Sequence, residues 1–148
     1  MINPWVRYDD VEEKREGYYV SYSPVFTDEE FAIMKTHPEI GAEILGEDDS
    51  ELIALAKVVS LTHHEKYDGT GYPAGLKGEE IPIEGRIVAI ADVFDALTSK
   101  RPYKEAWSVE KSLAFIRSQS GKHFDPTIVD LFEQSLDEIL QIKERFHD

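Results

Sequence analysis

The sequence predicts an all-α fold, a single helical domain that one long loop interrupts. Apolar residues recur at helical spacing in several stretches after residue 27, and helix-capping residues stand at the ends of those stretches. Glycine and proline concentrate between residues 67 and 85, where no helical pattern continues. A chain of 148 residues with 41% hydrophobic residues suits one compact core.

Two short helices open the helical part of the chain. The stretch TDEE, residues 27–30, is a capping box, in which the side chains of Thr27 and Glu30 accept hydrogen bonds from each other's backbone amides. Pro38 divides the next stretch, because proline disfavours helical geometry in the preceding residue and suits the first turn of a new helix. We expect a buried face made of Phe31, Ile33, Met34, Ile40, Ile44 and Leu45.

Two longer helices flank the Gly/Pro loop. Residues 50–64, SELIALAKVVSLTHH, predict an amphipathic helix. Its expected buried stripe is Leu52, Leu55, Ala56 and Val59. Residues 86–99, RIVAIADVFDALTS, are apolar on nearly all sides, which is typical of a central, buried helix.

Two further helices are expected towards the end of the chain. One runs from Ser108 to Ser120 and ends at Gly121. Asp125 caps the last helix, and Pro126 suits its first turn. The expected buried face of this last helix is Ile128, Val129, Phe132, Leu136, Ile139 and Leu140.

Residues 1–26 form a divergent N-terminal segment ahead of the helical domain, residues 27–148. The charge run DDVEEKREG has no apolar stripe and predicts a solvated loop or a frayed helix. The stretch YYVSYSPVF is rich in residues that favour strands and predicts a short extended segment.

Charge and composition limit the function. The net charge of −14, from 30 acidic and 16 basic residues, disfavours binding to nucleic-acid polymers and to anionic membranes. No apolar stretch approaches membrane-spanning length and no signal segment opens the chain, so we expect a cytoplasmic protein. The absence of cysteine excludes disulfides, thiolate metal sites and a cysteine nucleophile.

Three histidines extend apolar helix faces. His37 lies at helical spacing from Ile33 and Ile40 and is expected to point inwards, while His63 continues the buried stripe of its own helix. His64 is turned about 100° away, so both rings reach a cavity only if the helix end faces one. Hydrogen-bonded core histidines, or cations at a helix C-terminus, are the alternative interpretations.

Asp92 and Asp95 interrupt the most apolar helix at a spacing that puts them on one face, which Ser99 extends. A buried carboxylate is costly unless it is paired or bound to a metal, so an ion pair or a cap within the core is the alternative. Three histidines with Asp92 form a thiolate-free ligand set suited to Fe, Mn or Zn.

The stretch KRPYK, residues 100–104, is the densest basic cluster of this acidic chain. Arg101 can bind a phosphate with its planar guanidinium, and Lys104 adds a point charge. Tyr103 could stack on a base, whereas a solvated turn after a helix is the simpler interpretation. Basic residues beside a histidine and carboxylate site suit metal-assisted phosphodiester cleavage.

Several long motifs, in the same order, closely resemble the HD-GYP domain, a bacterial branch of the HD-domain metal phosphohydrolases. They run from about Thr27 to Phe132 and comprise MKTHPEIGAEIL, HHEKYDGTGYPAGLKGEEIP, RIVAIADVFDALTSKRPYKEAWS and GKHFDPTIVDLF. The resemblance implies a helical bundle of the HD-domain type with a site for two or three metal ions, often iron. It also implies hydrolysis of cyclic di-GMP to pGpG or GMP.

The same resemblance implies individual roles. By their positions in the motifs, the residues that match metal ligands are His37, His63, His64 and Asp92. Arg101 and Lys104 match contacts to the substrate phosphates, and Tyr72 is a further candidate for substrate binding. The motif loop DGTGYP contains Asp68, Gly69, Gly71, Tyr72 and Pro73. Asp95 is expected to be a structural partner of the site or of its basic residues.

One signature of the family is missing, because no His-Asp pair stands near the N-terminus. Counting back from Thr27 without gaps, the pair falls on Tyr8 and Asp9, so Asp9 could replace the aspartate. The resemblance therefore implies an N-terminally truncated domain. Four side chains could hold one divalent ion or none, but not a full cluster, so catalysis through Asp92 and Asp9 is expected to be impaired or lost.

Three functions remain open at this point. The first is a shortened phosphodiesterase for cyclic di-GMP or a related phosphodiester. The second is a non-catalytic signalling module that binds the dinucleotide or a protein partner, and the third is a remnant or a mis-started reading frame. Missing helices would expose apolar surface, so we expect either a homodimer or residues 1–26 packed over the gap.

Overall fold

The computed structural model describes residues 27–47, 49–100 and 105–146, and the predictions made for residues 1–26 lie outside these ranges. Regular structure in the described ranges is helical, apart from one isolated β-bridge between Ser120 and Phe124. The helices are α1 (Asp28–Met34), α2 (His37–Ile44), α3 (Glu51–Thr62), a 3₁₀ turn (Gly78–Glu80), α4 (Ile83–Thr98), α5 (Val109–Ser118), α6 (Pro126–Gln134) and α7 (Leu136–Arg145). The all-α prediction is confirmed.

Helices α1 to α3 begin where the sequence signals place them. The capping box of Thr27 and Glu30 is present, and Pro38 occupies the first turn of α2. Helices α2 and α3 pack closely, because the Ser60 hydroxyl lies where a Cβ atom on Gly41 would meet it. That hydroxyl donates a 2.9 Å hydrogen bond to the carbonyl oxygen of Pro38. The start of α2 is therefore fastened to the last turns of α3.

Helix α4 is the central helix, as its apolar sequence predicts. Its buried residues are Gly85, Ala89, Ile90, Val93, Phe94, Ala96 and Leu97. Near its start, Gly85 approaches Thr62 so closely that a Cβ atom there would overlap the Thr62 side chain. On its other side α4 contributes to a core shared with α5 and α6. The buried partners in that core are Leu113, Ile116, Phe124, Ile128, Val129 and Phe132.

The prediction of one last helix is wrong, because the described residues form α6 and α7 with a break at Ser135. Ser135 adopts φ −97° and ψ 10°, outside helical geometry, and flanks both helices. Serine competes for backbone hydrogen bonds and favours helix ends over helix interiors. The cap predicted at Asp125 is confirmed, since its side chain accepts a hydrogen bond from the Thr127 amide. Ser108, predicted as the first residue of its helix, is the N-cap of α5 and accepts a hydrogen bond from the Lys111 amide.

The buried face predicted for the first three helices is largely wrong. Ile33, Ile44 and Leu52 are 72%, 80% and 71% exposed, and Ile40 and Leu55 are exposed as well. Helical periodicity identifies an apolar face but not the element that covers it. Within the described ranges no element covers these five side chains.

Helices α4, α6 and α7 enclose a second apolar surface, a groove of about 840 Å³. Its apolar lining includes Ile87, Ile90, Phe94, Leu131, Ile142 and Phe146. At one end, Lys143 donates hydrogen bonds of 2.8 Å to Asp95 and 2.9 Å to the Ser99 hydroxyl. Asp95 is exposed, so its expected place on a buried face with Asp92 is wrong, and its partner Lys143 lies on α7.

Candidate metal centre

Three histidines from two helices meet at one point of the fold. His37 is the first residue of α2, His63 directly follows the last residue of α3, and His64 comes next in the chain. Ring centroids lie 3.8 Å apart for His63 and His64, 4.9 Å for His37 and His64, and 5.4 Å for His37 and His63. Each ring offers a nitrogen, and these three nitrogens lie within 4.8 Å of one another.

Hydrogen bonds orient two of the rings. The Nδ1 atom of His37 lies 2.7 Å from the Met34 carbonyl oxygen, and Nδ1 of His63 lies 2.9 Å from the carbonyl oxygens of Val59 and Ser60. Carbonyl oxygens only accept hydrogen bonds, so both Nδ1 atoms carry the proton and both Nε2 atoms present a lone pair. Backbone groups that hold a ring in this way are typical of metal-binding histidines.

The spacing of the two Nε2 atoms matches a shared ion. Nε2 of His37 lies 3.4 Å from Nε2 of His63. Two nitrogens bound at about 2.1 Å to one tetrahedral ion are roughly 3.4 Å apart. Two lone pairs that face each other at this distance repel unless a cation or a proton lies between them, so the donor set fits a metal ion.

Burial lowers the pKa of two of the imidazoles, those of His37 and His64. His64 is 8% exposed, and its Nε2 atom is buried. Burial, and then the charges that neighbouring histidines would carry, lower the pKa of His64 to about 2. Burial also lowers the pKa of His37, although the bond to Met34 opposes this change. Neutral imidazole is the form that binds metals.

The motif loop covers the cluster. Tyr72 stacks on the His64 ring with centroids 5.1 Å apart and an interplanar angle of 25°, and its backbone amide donates a 3.2 Å hydrogen bond to the His64 carbonyl. Burial raises the pKa of the Tyr72 hydroxyl. Gly71 lies against the backbone of residues 65 and 66, where any Cβ atom would overlap it. Tyr72 is therefore a wall of the site.

The remaining motif residues shape the loop. The Asp68 carboxylate accepts hydrogen bonds of 2.9 Å from the Thr70 amide and 2.6 Å from the Thr70 hydroxyl. Gly69 has φ +85°, a conformation that favours glycine. The amides of Tyr67 and Asp68 donate to the carbonyls of His123 and Lys122, at 3.1 and 2.8 Å. The loop is thus tied to the turn that precedes α6.

Not every predicted site residue joins the cluster. Asp92 is half-buried on α4, which packs against α3, but its carboxylate is not among the atoms grouped within 4.8 Å. Asp9, Arg101 and Lys104 lie outside the described residues. The described residues thus bring three imidazoles within ligand distance of one another, with the Tyr72 ring stacked on one of them, His64.

Glu65 is a residue that the sequence reasoning missed. Its side chain is 1% exposed, and its carboxylate accepts hydrogen bonds from the amides of Ala74, Gly75 and Leu76 at 2.8, 3.2 and 3.0 Å. An acidic residue directly after two candidate ligands was the available signal. Loop sequences have no periodicity from which burial can be read, so this position did not by itself predict a buried carboxylate.

Comparisons with known proteins agree with this architecture. A family model described as HD domain matches residues 20–128. The cyclic di-GMP phosphodiesterase response regulator RpfG of Xanthomonas campestris pv. campestris is 49% identical over 120 residues, which are 81% of this chain and 32% of that protein. A cyclic di-GMP phosphodiesterase of Vibrio cholerae is 50% identical over 127 residues, covering 82% of this chain and 26% of that protein.

A solved structure is similar as well. The crystal structure of the cyclic GMP-AMP specific phosphodiesterase V-cGAP3 of V. cholerae superposes with a TM-score of 0.56 at 28% identity, covering 75% of this chain and 26% of that chain. This chain thus spans about a third or less of each of these relatives. In the described ranges, no helix has the length and apolar character needed to cross a membrane.

Proposed function

The chain belongs to the HD domain family, which is metal-dependent, and from this premise we propose that it is an HD-GYP-type domain with a divalent metal ion at His37, His63 and His64. The 3.4 Å spacing of the two Nε2 atoms is the observation that carries the proposal. An imidazole set without thiolates suits iron, manganese or zinc. When bound, such an ion supplies a Lewis acid and lowers the pKa of a coordinated water.

We infer that the substrate or ligand is a cyclic dinucleotide. The two relatives above are named as cyclic di-GMP phosphodiesterases, and a further relative of V. cholerae, 48% identical over 120 residues, is named as specific for 3'3'-cGAMP. These compounds share phosphodiester bonds between purine nucleotides. The predicted phosphate contacts, Arg101 and Lys104, provide the positive charge that such a ligand needs.

We propose that hydrolysis is slow or lost. Three imidazoles leave coordination positions that waters would fill, and a bridged site for several ions needs carboxylates as well. Asp92 and Asp9 remain the candidates for these carboxylates. The chain's own residues hold the His37 and His63 rings in place and bury the Nε2 atom of His64. Such an arrangement binds and orients a ligand but does not by itself move a proton.

The test combines metal analysis with an activity assay. The protein, loaded anaerobically with Fe²⁺ or Mn²⁺, is analysed for bound metal and then incubated with cyclic di-GMP and with 3'3'-cGAMP. We expect about one ion per chain and slow or undetectable turnover. The variant His63→Gln should lose the ion, whereas His147→Gln, which changes a histidine outside the motifs, should keep it. Wild-type protein that retains no metal would contradict the proposal.

A non-catalytic signalling module is the second candidate. The three-nitrogen cluster supports it, because three imidazoles suffice to hold one ion, and a single bound ion can serve ligand binding without hydrolysis. Calorimetric titration with cyclic di-GMP separates the two functions. Saturable binding of cyclic di-GMP without turnover supports the module, whether the module only binds the dinucleotide or also binds a signalling protein partner. Turnover supports the enzyme.

A further inference from the structure

A buried carboxylate next to the cluster has no assigned role. Glu65 follows His64 in the chain, and both of its oxygens accept hydrogen bonds, Oε1 from Ala74 and Gly75 and Oε2 from Leu76. A side chain that is 1% exposed with three backbone donors is held in a single position. It joins the end of α3 to residues 74–76, which directly follow the motif loop.

Tyr72 connects the segment bound by Glu65 to the metal centre. Residues 74–76 are bound to Glu65, and the Tyr72 amide is bound to the His64 carbonyl. Between these two fastenings the Tyr72 ring lies on the face of the His64 ring. The Tyr72 ring also makes a T-shaped contact with the Phe31 ring, at 6.3 Å between centroids. Displacement of residues 74–76 would therefore free the ring that supports His64.

We propose that Glu65 is a positioning residue of the metal centre, which holds Tyr72 against the His64 ring through residues 74–76. The inference rests on the proposed metal site. Glu65 is not part of the group of three imidazoles, and both of its oxygens accept hydrogen bonds from the loop amides. Residues that orient metal ligands in this way typically change metal affinity by about 10- to 100-fold when they are replaced.

The chemistry of the carboxylate specifies the variant. Both oxygens only accept, whereas glutamine has one oxygen and one NH₂ group. In Glu65→Gln, an NH₂ group would face at least one backbone N–H, so part of the loop would detach without a change in side-chain size. The matched control is Glu80→Gln, in the same loop, where an exposed carboxylate accepts a hydrogen bond from the Lys77 amide.

Manganese titration of the full chain tests the proposal. At a temperature well below unfolding, Glu65→Gln should bind Mn²⁺ about 10- to 100-fold more weakly, and Glu80→Gln should bind like the wild type. Tyr72→Leu should also weaken binding, and the double variant Glu65→Gln/Tyr72→Leu should lose less than the product of the two single effects. Wild-type affinity in Glu65→Gln, or losses that multiply in full, would overturn the proposal.

Two further measurements keep the test decisive. If Glu65→Gln does not fold, Ala74→Pro removes one loop N–H and leaves Glu65 in place. Weaker Mn²⁺ binding by this variant supports the proposal, and unchanged binding overturns it.

If the wild type binds no Mn²⁺, the proposed function fails, but the NMR signals of the His64 ring in metal-free protein still report on Glu65. Those signals should shift in Glu65→Gln and not in Glu80→Gln, and unchanged signals would overturn the proposal.

Discussion

His63 and His64 are adjacent in sequence but held by different means. The His63 ring is fixed by carbonyls in the last turn of its own helix, whereas His64 is buried under Tyr72. Helical spacing of His37 and His63 indicated where these two rings point. Spacing could not indicate the hydrogen bonds of their Nδ1 atoms. The acceptors are backbone carbonyls, which every residue has, so no side-chain pattern marks them.

The burial of neutral His64 leads to a prediction about a single side chain. His64→Leu should abolish metal binding and change the stability of the metal-free protein by less than about 1.5 kcal/mol, because an apolar side chain of similar size replaces a buried neutral ring. Urea unfolding in EDTA, with metal analysis of the same preparation, measures both effects. A large loss of stability would mean that the ring has structural partners that leucine cannot replace.

Glu65 and Asp95 show where residue-level prediction from sequence fails. Both are acidic residues beside site motifs, yet one is buried under the loop and the other is exposed and bound to Lys143. The partners of Glu65 are backbone amides, which no side-chain pattern marks. The partner of Asp95 is Lys143 of α7, which is far away in sequence. Only the folded chain distinguishes the two carboxylates.

At the level of elements, helix starts were predicted better than helix burial. Capping residues act locally, so Thr27, Ser108 and Asp125 indicate their helices correctly. The burial of α4 was also predictable, since it is apolar on nearly every side. The exposure of Ile44 and Leu52 was not, because an amphipathic stripe does not reveal whether another element covers it.

One ion pair joins two of these elements. Arg86 in the first turns of α4 donates a 2.6 Å hydrogen bond to Asp125, the capping residue of α6, and the two side chains are 16% and 5% exposed. The same carboxylate accepts a hydrogen bond from the Thr127 amide. Asp125 therefore both caps a helix and neutralises a largely buried guanidinium.

Removal of this carboxylate should be costly. We expect Asp125→Ala to lower the free energy of unfolding by about 3–5 kcal/mol, because the buried cation loses its partner, with about 1 kcal/mol of further loss from the missing cap. Chemical denaturation measures the change. Asp130→Ala, an exposed position in the same helix, should stay within about 0.5 kcal/mol of the wild type. A similar small effect at Asp125 would contradict this account.

The whole molecule combines a net charge of −14 with two apolar surfaces, the face of α1 to α3 that the other described residues leave exposed and the groove between α4, α6 and α7. Large exposed apolar patches on folded domains mark association sites. Helical periodicity predicted the all-α fold correctly, but neither surface could be located from sequence, because each is formed by side chains from several helices.

We predict a homodimer that buries the face of α1 to α3. Sedimentation equilibrium of the wild type should give twice the chain mass, whereas Ile44→Lys should shift the equilibrium towards monomer by placing a charge on the apolar face. Glu43→Lys, an exposed neighbour in the same helix, tests whether charge alone is responsible and should remain dimeric. A monomeric wild type at all concentrations would refute the dimer.

The two backbone hydrogen bonds that tie Tyr67 and Asp68 to His123 and Lys122 affect how the domain assembles. The three imidazoles come from two consecutive helices, α2 and α3, and can meet as soon as these helices pack. Glu65 and the His64 carbonyl fasten the covering loop locally, but its bonds to residues 122 and 123 join parts of the chain that are far apart in sequence, and such contacts form late in folding. During synthesis, the loop over the imidazoles would therefore lack these two attachments until residues 122 and 123 leave the ribosome.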